Sequence, residues 1–63
     1  MKSAFVFLAS GFEETEALGT VDVLRRAGIQ AATVSITGEK AVTGSHQITV
    51  EADYLLHWQM LLP

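Results

Sequence analysis

Cysteine is absent from the 63 residues of this sequence. Disulfide bonds, thiolate metal ligands and a cysteine nucleophile are therefore excluded for the chain as it stands. Proline occurs once, as Pro63, and charged residues make up 17% of the chain against 49% hydrophobic residues. A chain this short buries only roughly 60% of the surface that its unfolded form exposes. We therefore expect a single partial domain over residues 1–63 that belongs to something larger.

Basic residues and histidine are also scarce. The chain has 4 Lys and Arg residues against 7 Asp and Glu residues, and its one basic pair is Arg25 and Arg26, so the charge pattern of nucleic-acid binding is missing. His46 and His57 are far apart in the sequence and cannot form a metal site by themselves. No apolar run approaches the ~20 residues of a membrane span. We expect a cytoplasmic protein with no cofactor, no metal, no nucleic-acid partner and no membrane contact.

The junction at residues 10–16 organises the rest of the chain. It connects a continuous apolar run, Ala4–Ala9, to a segment with helical spacing. Such runs are typical of a strand covered on both faces, as in a parallel sheet, and this one predicts a strand at about 3–9. Gly11 suits the turn, because glycine tolerates positive φ. A strand that ends in a glycine and opens a helix beside acidic groups is where open α/β folds usually keep their sites.

A helix is predicted at about 13–27. Its first turn carries three glutamates and its last turn carries Arg25 and Arg26, which suits the helix dipole. Apolar residues recur at helical spacing along one face, namely Ala17, Val21, Leu24 and Ala27. Gly28 then serves as a C-terminal cap, and a second strand follows at about 30–36. Strand, helix and strand form a βαβ unit, so we expect the two strands to be parallel.

The next segment has the pattern of a small β-hairpin. Two short strand-like runs flank the turn residues 44–47, which predicts a hairpin at about 41–50. His46 lies at its tip, where we expect it to be exposed. We expect no base near Thr43 and Ser45, and no elbow motif is present, so nucleophilic serine chemistry is not predicted.

Three stretches of the sequence form a specific combination. They are ASGFEETEA at 9–17, VDVLRRAGI at 21–29 and the hairpin up to Asp53. Together they resemble the N-terminal part of the ThiJ/PfpI superfamily, in the branch that holds the parkinsonism-associated deglycase and its bacterial relative YajL. The resemblance implies a truncated flavodoxin-like α/β fold, of the class I glutamine amidotransferase-like kind, in a protein that is usually a homodimer.

The same resemblance implies an active site of which this chain holds one part. Full-length relatives carry a reactive cysteine on a strained strand-to-helix turn, and their proposed roles are glyoxalase, deglycase, peptidase, redox sensor and chaperone. The glutamate that supports this cysteine matches Glu16. A carboxylic acid buried beside a thiolate stays neutral through desolvation and charge repulsion. It then donates a hydrogen bond that tunes the thiolate.

A competing interpretation of the three glutamates is structural. A carboxylate in the first turn of a helix stabilises the helix dipole, and we assign this role to Glu13 and Glu14. A metal site is disfavoured, because three carboxylates on one helical turn point in different directions. Glu16 remains the single candidate catalytic residue.

The last segment, 54–63, is almost entirely apolar. Either it docks into a partner, or its continuation is missing. Gln59–Pro63 resembles the family's next core strand, and the connection before it, Tyr54–Trp58, is shorter than usual. Two functions stay open. In the first, the chain is an N-terminal fragment of a cysteine enzyme that acts on small carbonyl substrates. It is then inactive alone, and its partner is the rest of its parent chain. Alternatively, it is a stand-alone dimerisation or interaction module without catalysis.

Overall fold

The computed structural model describes residues 2–56. The elements in chain order are β1 (Ser3–Leu8), α1 (Glu14–Arg26), β2 (Gln30–Ser35), β3 (Ala41–Thr43), β4 (Thr49–Glu51) and β5 (Tyr54–Leu55). β1, β2 and β5 form a parallel sheet in that order, and β3 pairs with β4 in an antiparallel hairpin. The predicted α/β class, with a βαβ unit and a small hairpin, is confirmed. No helix among residues 2–56 is long and apolar enough to cross a membrane.

Local signals explain the ends of α1. The Glu13 carboxylate caps the first turn by accepting hydrogen bonds from the backbone N–H groups of Thr15 (2.7 Å) and Glu16 (3.3 Å). Gly28 adopts a φ of 82°, which only glycine reaches at little cost, and it ends the helix. Ala27 was predicted on the apolar face, but it is exposed because it is the cap residue after the last helical turn.

The core lies between the β1–β2 sheet, α1 and the hairpin. Leu8, Val42 and Ala52 are almost fully buried, and the partly buried side chains packed against them are Val6, Phe12, Ala17 and Val50. On α1, Val21 is the buried apolar residue. The carboxyl end of β1, just before the turn at Gly11, therefore belongs to the core.

On one face of the parallel sheet, β1 is not covered by residues 2–56. Burial alternates along β1, with Phe5 and Phe7 61% and 58% exposed. The continuous apolar run was predicted to be covered on both faces, and this is wrong for the described residues. The physical reason is that α1 packs against β1 and β2 from one side only.

β5 is a strand that the sequence pattern did not reveal. Tyr54 and Leu55 pair with Val34 and Ser35 of β2. Their place is fixed just before, at Asp53, whose backbone N–H donates to the Thr33 hydroxyl (2.9 Å). The core strand that Gln59–Pro63 resembles lies outside the described residues, as do His57 and Trp58 of the connection before it.

Candidate functional site

The hairpin holds the corner between β1 and α1. Gly11, with a φ of 84°, donates its backbone N–H to the Thr43 carbonyl (2.8 Å). The backbone N–H of Ser45 in turn donates to the Phe12 carbonyl (2.8 Å). These two bonds join segments that lie far apart in sequence, and they fix the backbone on which the glutamates are carried.

Glu14 is the residue through which the helix contacts the hairpin loop, defined as residues 44–48. Its side chain is 6% exposed. One carboxylate oxygen, Oε2, accepts hydrogen bonds from the backbone N–H groups of His46 (2.7 Å) and Ile48 (3.3 Å). The other, Oε1, lies 2.7 Å from His46 Nδ1 and accepts from the Ser45 hydroxyl at 3.5 Å. The Glu14 carboxylate therefore accepts hydrogen bonds from the loop backbone, as a backbone carbonyl does in a strand or a turn.

Gly44 makes room for this carboxylate. A Cβ at this position would lie 2.7 Å from Glu14 Cγ and still closer to the carboxylate atoms. Any side chain at position 44 would therefore force the Glu14 carboxylate to shift. From the sequence, Glu14 was predicted only to stabilise the helix dipole, and the signal that could have revealed its contact with the loop is the glycine that opens the turn at 44–47.

Opposite charges stabilise the contact between Glu14 and His46. Burial raises the pKa of Glu14, but hydrogen bonds from the His46 side chain and from backbone N–H groups outweigh it and lower the pKa from 4.5 to about 2. The hydrogen bond to Glu14, followed by the negative charges of Glu14 and Glu13, raises the pKa of His46 above its usual 6.5. His46 is exposed, as predicted, yet it is also an ion-pair partner.

Ser45, His46 and Glu14 lie in contact but do not form a catalytic triad. The Ser45 hydroxyl is 3.1 Å from His46 Nδ1, so the prediction that Ser45 has no base near it is wrong. Glu14 Oε1 contacts the same nitrogen. A triad needs the acid and the nucleophile on opposite nitrogens of the ring. The arrangement orients the loop, and it does not activate the serine.

Glu13, Glu14 and His46 bring donor atoms within 4.8 Å of one another. Glu13 Oε2 lies 3.9 Å from His46 Nδ1. Glu13 Oε1 caps the helix, and both oxygens of Glu14 already accept hydrogen bonds from the loop. The three groups are thus satisfied by the protein itself, and we read the cluster as an anchor for the hairpin loop.

Glu16, the predicted catalytic residue, lies apart from this cluster. Two residues along a helix correspond to a rotation of about 200°, so Glu16 leaves α1 on nearly the opposite side from Glu14. It is exposed, and with Thr20 and Val23 it lines a shallow groove along the helix. The burial that would keep this acid neutral is not supplied by residues 2–56.

Comparison with known proteins places the chain in a family. The sequence profile of the DJ-1/PfpI family matches residues 2–58, and the chain belongs to this family. It is 44% identical over 52 residues to the protein dj-1beta of Drosophila melanogaster and 40% identical over 52 residues to the Parkinson disease protein 7 homolog of Danio rerio. Each match covers 82% of this chain and 28% of the relative. The predicted resemblance is confirmed.

Solved structures agree with this assignment. A cysteine-to-alanine variant of a DJ-1 superfamily protein from Salmonella typhimurium has a TM-score of 0.84 at 44% identity, and oxidised DJ-1 from Toxoplasma gondii has 0.85 at 34% identity. Both comparisons cover 87% of this chain and 30% of the other. The chain therefore spans less than a third of the length of the relatives that it matches, and it has the fold of their corresponding part.

Proposed function

We propose that this chain forms the N-terminal part of a DJ-1/PfpI-type active site and contributes Glu16 to it as a supporting acid. The observation that carries the proposal is the position of the corner. β1 ends at Leu8, at the carboxyl edge of a parallel sheet, where α/β folds bind ligands. Gly11 then turns the chain, and Glu16 follows on the first turn of α1 with no hydrogen bond from its side chain to the hairpin loop.

The chemistry of Glu16 depends on a second part of the fold. If further protein covers the groove beside Thr20 and Val23, desolvation favours the neutral acid, which donates a hydrogen bond to a nearby thiolate. The thiolate is the nucleophile toward a small reactive carbonyl, such as methylglyoxal, or a glycated amine. The chain alone has no cysteine, so we expect it to be inactive by itself. The proposed location is the cytoplasm, where thiols remain reduced.

A chimera tests the role of Glu16. The 52 aligned residues of this chain replace their counterparts in the Drosophila relative, and lactate formation from methylglyoxal is measured. We expect Glu16→Leu to lower kcat by ~100-fold, the usual weight of a positioned acid. Glu16→Gln keeps a neutral donor and should retain more activity than Glu16→Leu.

The matched control for this experiment is Glu51→Leu, which changes an exposed glutamate on β4 and should leave the rate unchanged. Equal rates for Glu16→Leu and Glu51→Leu would contradict the role of Glu16. So would lactate formation by the purified 63-residue chain that Glu16→Gln leaves unaffected.

A second candidate function is a dimerisation or interaction module without catalysis. The specific observation in its favour is the uncovered sheet face with Phe5 and Phe7, to which Tyr54 adds a third exposed aromatic ring. Large exposed apolar patches mark sites of protein association. In this alternative the partner is a second copy of the chain, and in the first it is the rest of a longer protein.

A further inference from the structure

We propose that the hairpin loop is a pH-dependent latch on the first turn of α1. The latch is closed while His46 carries its proton and loosens when His46 becomes neutral. It does not depend on the activity proposed above, because neither a cysteine nor a substrate takes part.

The two partners of the latch differ in their access to water. Glu14 is buried, with 6% of its side chain exposed, whereas 64% of the His46 side chain is exposed. The imidazole can therefore exchange its proton with solvent while the loop stays in place. The carboxylate that receives the hydrogen bond cannot be solvated unless the loop moves away. Water therefore does not compensate for the loss of the proton, and the interaction between the loop and the Glu14 carboxylate weakens.

The charges around His46 all have one sign. Glu14 lies 2.7 Å from its Nδ1 on the helix, and Glu13 lies 3.9 Å away at the cap. No other charged group of residues 2–56 is within ion-pair distance of the ring. From its own loop the ring is contacted by the neutral Ser45 hydroxyl. Protonation of His46 is therefore favoured in the closed state, and closure is favoured by protonation.

The direction of the pH effect follows from the two pKa values. The pKa of His46 is raised above 6.5 by Glu14, so its contribution is complete below pH 6.5 and is lost as pH rises through the raised pKa. The pKa of Glu14 is lowered from 4.5 to about 2, so its contribution is complete above pH 4.5 and is lost on strong acidification. The latch is tightest between pH 4.5 and 6.5.

Deprotonation loosens the loop without releasing it. The backbone N–H groups of His46 and Ile48 still donate to Glu14, and the bond between Ser45 and Phe12 does not titrate. What is lost is the positive charge of the ring. A neutral imidazole that keeps its Nδ1 proton still donates to Glu14 Oε1, but the ion pair is gone and the bond is weaker. Glu14, where the contact loosens, lies two residues before Glu16 on the same turn of α1.

Amide hydrogen exchange of the full 63-residue chain tests the latch. Protection factors are measured for the amides of His46 and Ile48 between about pH 5.5 and 9, the range that spans a raised histidine pKa. The β2 amides serve as an internal reference. We expect loop protection to fall through the pKa of His46, by ~10-fold for each pH unit by which that pKa is raised, while β2 protection stays constant.

Two histidine variants make the test specific. In His46→Gln the side chain no longer titrates, so protection of the Ile48 amide should be low and independent of pH. In His57→Gln the pH dependence should persist. Loop protection that is flat with pH in the unmodified chain, or that keeps its pH dependence in His46→Gln, would overturn the latch. A ring titration of His46 by NMR with a pKa below 6.5 would overturn it as well.

Discussion

Glu14 and Glu16 are two residues apart on α1, yet their surroundings differ completely. Glu14 is buried under the hairpin loop and held as an anion by four hydrogen-bond contacts. Glu16 is exposed on another side of the helix. The same residue type therefore anchors the loop in one place and stays exposed in the other. Burial and hydrogen-bond partners, rather than position in the first turn, distinguish the two glutamates.

At the residue scale, Gly44 gives a direct prediction. Gly44→Ala places a methyl group against the Glu14 side chain, so the carboxylate has to shift away from the hydrogen bonds that it accepts from the loop. We expect a loss of about 1–3 kcal/mol in the free energy of unfolding, the usual range for overpacking a well-packed site. Urea denaturation followed by circular dichroism measures it.

A double-mutant cycle shows whether the clash with Glu14 is the cause. In a Glu14→Ala background the side chain that the new methyl group meets is gone, so Gly44→Ala should cost clearly less. Gly19→Ala is the matched control, because a Cβ there meets no atom within 4 Å and alanine favours a helix. An equal cost of Gly44→Ala in both backgrounds would show that the glycine is needed for another reason.

At the scale of elements, Asp53 joins β2, β5 and the end of α1. Its Oδ2 accepts hydrogen bonds from the backbone N–H of Thr33 (2.9 Å), from the Thr33 hydroxyl (3.2 Å) and from Arg25 (3.2 Å). Arg25 also donates to the Ala31 carbonyl at 3.0 Å. These hydrogen bonds add to the ladder between β2 and β5, which is short because β5 has only two residues.

Removal of one hydroxyl tests this link. Thr33→Val keeps the shape of the buried side chain but removes two hydrogen bonds to Asp53. At ~1 kcal/mol per bond, and because Asp53 is 45% exposed, we expect a loss of about 1 kcal/mol in the free energy of unfolding at pH 7. Thr49→Val removes an exposed hydroxyl contact with Thr43 and should change stability by less than ~0.5 kcal/mol.

Acid should narrow the difference between Thr33→Val and the unmodified chain. Hydrogen bonds from Thr33, first of all from its backbone N–H, lower the pKa of Asp53 below 3.8. The stability that this carboxylate contributes is present above pH 3.8 and is lost as pH falls through the lowered pKa. A difference in unfolding free energy that stays constant down to the acid limit would contradict a charged Asp53 as the partner of Thr33.

The elements that the sequence predicted well are those defined by neighbours in the chain. Gly11 marks the turn between β1 and α1, and Gly28 follows the end of α1, because a positive φ is a local requirement. The contact of Glu14 with His46 joins residues 32 positions apart, and no periodicity encodes it. β5 was not predicted for the same reason, since Tyr54 and Leu55 become a strand only because β2 lies beside them.

At the scale of the whole molecule, the uncovered face of the sheet decides how the chain behaves in solution. Phe5 and Phe7 belong to β1, and within residues 2–56 nothing packs over them. This face is covered either by the rest of a longer protein or by a second copy of the chain. In a purified sample the chain can contact only other copies of itself. We therefore expect it to associate at low micromolar concentration.

Sedimentation equilibrium measures this association. Substitution of both rings, Phe5→Thr with Phe7→Thr, keeps the preference for a strand and should shift the chain toward monomer. Ile48→Thr removes an exposed apolar side chain of the hairpin, 52% exposed, and should leave the association unchanged. A cooperatively melting monomer of the unmodified chain, or equal association of all three forms, would rule out the sheet face as the contact surface.

The strand registers described above also set an order in time. The hairpin pairs Thr43 with Thr49, whereas the parallel sheet pairs Ser3 with Gln30, so the sheet closes a segment roughly four times as long. Short closures occur within microseconds, and longer ones follow more slowly. The hairpin loop should therefore be formed before the β1–α1 corner reaches it. During refolding, Glu14 would then contact a hairpin loop that has already formed. The hydrogen bonds to its carboxylate would be the last native contacts to appear.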